Sequence, residues 1–162
     1  MLDPSTPDIF AHVMERAGKF GPYTPDPPLQ ITQDRIDLYA AATGDDQWVH
    51  TDPERAAGAP QKVTFAQGGL SAAIIYELKR EEMASLAADG LQVIKISETC
   101  TYLRPVRVGT ALQARGMLTV CKRTANAMKA VYTYEIVDAA RSTPDKPHML
   151  VSGDLILRLI AR

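Results

Sequence analysis

A chain of 162 residues, 46% hydrophobic and 23% charged, has the length and composition of one ordinary globular domain with a substantial core. Eighteen basic against nineteen acidic side chains leave a formal charge of -1, without the basic excess of a nucleic-acid binder. Two cysteines, Cys100 and Cys121, are too few for a disulfide scaffold, and no Cys/His cluster has metal-ligand spacing. No apolar run approaches the roughly 18 residues of a membrane span. The start, Met1-Leu2-Asp3-Pro4, has neither a basic nor an apolar signal-like run, so the expectation is a soluble, cytoplasmic protein.

Ile9, Phe10, Val13, Met14, Ala17 and Phe20 fall at mostly helical spacing and predict a short amphipathic helix ended by Gly21-Pro22. Three prolines between Tyr23 and Pro28 predict an extended connector, so residues 1–29 read as a helix and linker within a single domain, 1–162. Thr32 suits the N-cap of a helix carrying Ile36, Tyr39 and Ala40 on one face and stopping near Thr43-Gly44. Asp52-Pro53 opens another short helix, with Asp as cap and proline at the first helical position. Gly68-Gly69 then leads into Leu70 to Leu78, apolar nearly all round, which predicts a central buried helix over about 69–85. Its polar continuation, from Lys79 to Asp89, is expected to emerge into solvent. After Gly90 the pattern turns to strands near 92–103, 111–123, 127–138 and 148–160, with a loop from Arg141 to Pro147. Helices followed by a run of antiparallel strands make an α+β layout, a sheet around or upon one buried helix.

The densest polar group in the helical half is Thr43-Gly44-Asp45-Asp46-Gln47-Trp48-Val49-His50-Thr51-Asp52-Pro53. A carboxylate and an imidazole five positions apart across one turn can converge on a water and manage two proton transfers. The same residues also suit a structural role, with Asp45 or Asp46 in an Asx-turn and His50 as a satisfied histidine. Gly68-Gly69 can present free backbone N–H groups to a carbonyl oxygen at a helix start, or can simply allow close packing there.

The segment Tyr39 to Ala56, with Gly44-Asp45 and His50 in fixed spacing, resembles the signature of the MaoC-like dehydratase, or R-specific enoyl-CoA hydratase, family. Phe65-Ala66-Gln67-Gly68-Gly69-Leu70 is similar to that family's Ile-Ala-His-Gly-x-Leu segment, and Tyr102 to Gly109 to its Arg-Phe-x-x-Pro-Val-x-x-Gly strand motif. Gln47-Trp48 with Asp52 to Ala56 looks most like the nodulation-protein-N-like branch. The resemblance covers roughly residues 30 to 160. It implies a hot-dog fold, an Asp45/His50 catalytic dyad, the Gly68 N–H as oxyanion donor, and hydration or dehydration of an acyl-thioester. It further implies Gln47, Trp48, Gln67, Gly69 and Tyr76 as residues around the substrate, and a homodimer or higher homo-oligomer.

Three positions depart from the family pattern. Gln47-Trp48 replaces Asn-Pro, Gln67 replaces a histidine and cannot titrate, and Tyr76 falls where some hydratases carry a pocket serine. No cofactor or metal is expected; coenzyme A, as the carrier of a thioester substrate, would bring phosphates that Arg104, Arg107, Lys122 or Arg123 could meet. Two alternatives accompany this expectation: a hot-dog thioesterase, and a non-catalytic acyl-thioester-binding subunit.

Overall fold

The expected strands are present almost residue for residue. A computed structural model, which describes residues 8, 10–88, 90–143 and 145–161, shows β2 (Leu91–Tyr102), β3 (Ala111–Arg123), β4 (Ala127–Asp138) and β5 (Met149–Ala161). A fifth strand, β1 (Thr24–Gln30), lies in the proline-rich run that the sequence predicts as a connector. It pairs antiparallel with β3, Leu29 opposite Leu112 and Thr24 opposite Ala114. Proline has no N–H to give a ladder, so such a run is tolerated at a sheet edge, which is where β1 lies. The order is β1-β3-β4-β5-β2, antiparallel throughout.

Alternation decides the faces. Along β4, Met128, Ala130, Tyr132, Tyr134 and Ile136 are fully buried while the intervening residues are not. That buried face receives Ile74, Ile75 and Leu78 from the central helical segment. This segment is not one helix over 69–85 but three short ones, α5 (Gly68–Ala73), α6 (Ile75–Leu78) and α7 (Arg80–Ala88). Phe10 and Val13, beside and on the N-terminal helix α1 (Ala11–Arg16), complete the core; Ile9 lies outside the described residues. A five-stranded antiparallel sheet packed around a helical segment is the α+β hot-dog fold.

Lys79 corrects the expectation that the helix emerges into solvent at that point. It is only 3% exposed, because Glu82 lies 3.0 Å from its ammonium group, and it donates to Thr24 Oγ1 at 3.1 Å and the Ala114 carbonyl at 3.5 Å. A buried charge persists when paired and hydrogen-bonded in this way. Glu82 also accepts a bond from the Tyr132 phenol at 2.9 Å. Gly116 on β3 makes room for that phenol, since a Cβ there would stand 2.0 Å from Tyr132 Oη. Among the described residues, no helix is long and apolar enough to cross a membrane.

Candidate active site

The Asp45–His50 turn is held from both ends by caps that the sequence announces. Helix α2 (Gln33–Thr43) starts with the Thr32 hydroxyl accepting from Arg35 N–H and stops at Gly44, whose φ of 73° suits glycine. Asp52 caps α4 (Pro53–Gly58) by accepting from Arg55 N–H at 2.9 Å. Between them, α3 (Trp48–Thr51) carries His50. The turn is also tied to the chain before the central helix: Phe65 N–H donates to Val49 O at 3.1 Å, and Gln33 Nε2 donates to His50 O at 2.8 Å. Buried Thr64 in turn donates to Gln33 Oε1 at 2.5 Å.

The imidazole is oriented by its backbone partner. His50 Nδ1 stands 2.8 Å from the Phe65 carbonyl, which can only accept, so Nδ1 carries the hydrogen and neutral His50 keeps a lone pair on Nε2. Nε2 faces Asp45 Oδ2 at 3.8 Å, beyond direct hydrogen-bond range. The other oxygen, Asp45 Oδ1, accepts from Gln47 Nε2 at 3.0 Å. The His50 side chain is 14% exposed and that of Asp45 32%. Two acceptors thus face each other across a gap, each steadied from behind.

His50 opens onto a cleft of about 360 Å³ with an apolar wall of Phe65, Ala66, Leu103, Pro105 and Val106. Gly68 and Ser71 of α5, Tyr102 and Arg104 complete its lining. Two phenols press on the glycine pair: a Cβ on Gly69 would stand 2.1 Å from Tyr39 Oη, and one on Gly68 3.2 Å from Tyr102 Cζ. A side chain at position 69 would displace the Tyr39 phenol, whereas one at 68 would crowd the Tyr102 ring only slightly. Gln67 is 2% exposed; its Nε2 donates to Ile36 O at 3.3 Å, while Oε1 is buried with no hydrogen-bond partner among the described residues.

Asp45, Gln47, His50, Gln67, Gly68 and Gly69 therefore gather around one end of the central helical segment. Trp48 lies on the same turn with the Arg55 guanidinium 4.4 Å above its ring. Tyr76 does not join them. Its place on α6 turns it outward while Ile75 and Leu78 turn in, and it lies under Lys95 in a separate groove with Arg35 and Leu70. Of the four candidate phosphate ligands, Arg104 lines the cleft and Arg107 lies over Phe65. Arg123 instead pairs with Asp8, and Lys122 stands opposite Lys129 on the neighbouring strand. The sequence reading missed Gln33, Thr64 and the Phe65 carbonyl, and gave Tyr39 only as a helix-face residue opening the family segment. A backbone acceptor leaves no trace in residue type, whereas Tyr102 was visible only as an aromatic inside a strand motif.

Known proteins resemble this chain in sequence and in fold. A family profile described as the MaoC-like domain matches residues 20–140. The chain is 33% identical over 114 residues to 3-hydroxyacyl-thioester dehydratase Z of Mycobacterium tuberculosis, covering 70% of this chain and 71% of that protein. It is 29% identical over 109 residues to nodulation protein N of Rhizobium leguminosarum bv. viciae, 67% of each. Unliganded R-hydratase PhaJ1 from Pseudomonas aeruginosa superposes with a TM-score of 0.64 at 23% identity, covering 90% of this chain and 83% of that one. The chain belongs to the MaoC-like dehydratase family, a family of hydro-lyases.

Proposed function

We propose that this protein hydrates trans-2-enoyl thioesters, or dehydrates (R)-3-hydroxyacyl thioesters, with Asp45 and His50 as the catalytic pair. The observation that carries this reading is the pair of opposed acceptors, Asp45 Oδ2 and neutral His50 Nε2, 3.8 Å apart beside an apolar cleft. A water has two hydrogens. Donating one to each acceptor leaves its lone pair pointing away from both. Two acceptors at ideal distance from one such water stand about 4.4 Å apart, so an opening of roughly half an ångström would seat it.

In the proposed reaction the thioester carbonyl accepts from the Gly68 N–H, at the positive end of α5. The water oxygen then bonds to the β-carbon while His50 Nε2 takes its proton and Asp45 steadies the resulting imidazolium. Charge collects on the carbonyl oxygen as an enolate. The imidazolium returns the proton to the α-carbon on the same face, so water adds syn and no base is consumed. Gln47 keeps the Asp45 carboxylate turned towards His50 by binding its other oxygen.

The test is loss of the conjugated enoyl-thioester absorbance of crotonyl-CoA and longer enoyl-CoAs, alongside Asp45→Asn. Loss with the wild type but not with the variant supports the reading. Release of free thiol without hydration would replace it with a thioesterase, and neither reaction with any enoyl thioester would favour an acyl-thioester-binding subunit.

The protein is also proposed to act as a homodimer. Strand β2 lies at a sheet edge and carries Ile94 and Ile96 exposed, the kind of edge that soluble proteins cover. A second copy of β2 would cover it. Light scattering on the purified chain should return twice the monomer mass, and a monomer at micromolar concentration would contradict the proposal.

A further inference from the structure

We propose that Tyr102 is a second hydrogen-bond donor to the substrate's carbonyl oxygen, acting beside the Gly68 N–H; this rests on the hydratase reading. Tyr102 is the last residue of β2 and sits opposite Val151 on β5, which brings its ring to the start of α5. The ring lines the same cleft as His50. Its hydroxyl oxygen lies 3.4 Å from where a Gly68 Cβ would be. A backbone nitrogen is about 2.5 Å from its own Cβ position, so the phenol oxygen is no farther than about 6 Å from Gly68 N. One acceptor oxygen can span nearly that separation with two bonds of about 2.9 Å. A thioester carbonyl lying on Gly68 therefore comes within reach of both donors.

The hydroxyl is available for such a task. The Cys100 thiol is among its polar neighbours, and a thiol is a weak partner that a developing enolate oxygen would outcompete. Partial burial and then the Cys100 thiol push the phenol up to about 12, so it carries its proton at neutral pH and can only help as a donor or neutral acceptor. Tyr102 is 51% exposed and lines the cleft, within reach of an incoming ligand. A packing residue would need only the ring; the distinctive part is the oxygen.

The experiment is Tyr102→Phe, which removes that oxygen and keeps the ring. With crotonyl-CoA, kcat should fall by about 10- to 100-fold, at or below the usual effect of losing an oxyanion donor, with KM within about threefold. A second readout does not need turnover. In an Asp45→Asn background, bound trans,trans-2,4-hexadienoyl-CoA should show a red-shifted absorbance, because donors on the carbonyl polarise the conjugated system. Adding Tyr102→Phe should remove at least about half of that shift at saturation, the share expected of one donor in two. An unchanged shift, no shift in either protein, or kcat within twofold of wild type would overturn the proposal while leaving hydration intact. Absence of both binding and turnover with every enoyl-CoA would instead bring down the hydratase reading and this proposal with it.

Discussion

Two polar clusters flank the central helical segment, and they are built in opposite ways. At the junction of α6 and α7, Lys79, Glu82, Tyr132 and Thr24 form a closed network in which Lys79 and the Tyr132 phenol meet partners at 2.9 to 3.1 Å. At the start of α5, Asp45 Oδ2 and His50 Nε2 face each other at 3.8 Å, and Gln67 Oε1 is buried without a hydrogen-bond partner among the described residues. Buried polar groups normally satisfy one another, and a closed network stiffens a core. A cluster that leaves its hydrogen-bonding capacity open spends stability to keep room for something else. The first cluster therefore reads as structure and the second as chemistry.

The sharpest way to break this contrast is to remove the dyad. Asp45→Asn and His50→Ala are each expected to lower hydration turnover by about 10² to 10⁴, the scale of a lost proton-transfer group. Chemical denaturation should place both variants within about 1 kcal/mol of wild type. If either variant lost several kcal/mol of stability, the dyad would belong with the structural cluster.

Lys79→Met should give the reverse pattern. It strands Glu82 with the Tyr132 phenol and a more distant Arg16, 3.5 Å away and partly exposed. A loss of about 2–4 kcal/mol in unfolding free energy is expected, somewhat below the usual cost of breaking a fully buried pair because Glu82 is partly exposed. At a temperature where the variant is folded, its kcat should stay within a fewfold of wild type. A large fall in kcat for the folded variant would connect the two clusters and undo the comparison.

The smallest effect concerns the strap between α2 and α6, where Arg35 binds both oxygens of Glu77 at 2.7 and 2.9 Å. That guanidinium holds the Glu77 carboxyl below its ordinary value of 4.5. A carboxyl lowered on folding adds stability above its unfolded pKa and loses it as pH falls through the folded one. Both groups are more than a third exposed or close to it, so the contribution is below about 1 kcal/mol. Arg35→Met should therefore flatten slightly the decline in stability below pH 4.5, measured by denaturant unfolding, and leave neutral-pH activity alone.

Much of this molecule was legible in its sequence because the signals were local. The β2 to β5 strands follow from alternating β-branched and aromatic runs, and the Thr32, Gly44 and Asp52 caps act within three or four residues. What escaped depends on contacts between distant segments. The Pro25–Pro28 run is a strand only because β3 offers it a partner, and Lys79 is buried only because Thr24, Glu82 and Ala114 surround it. The site divides in the same way. Asp45, His50 and the glycine pair stand out through residue type and spacing, whereas the Phe65 carbonyl that sets the His50 tautomer has no side-chain signature. Tyr76 was drawn into the site by its position in the family pattern, and the local turn of α6 directs it elsewhere.

The measurement closest to the central claim is a double-mutant cycle on turnover with Asp45→Asn, His50→Ala and the combined variant, each checked for folding. If the two side chains hold the same water, losing either already disables it, and the combined variant should be no worse than about the weaker single variant. Losses that multiply, so that the double variant falls by the product of the two, would mean that Asp45 and His50 act independently and would contradict the shared-water site.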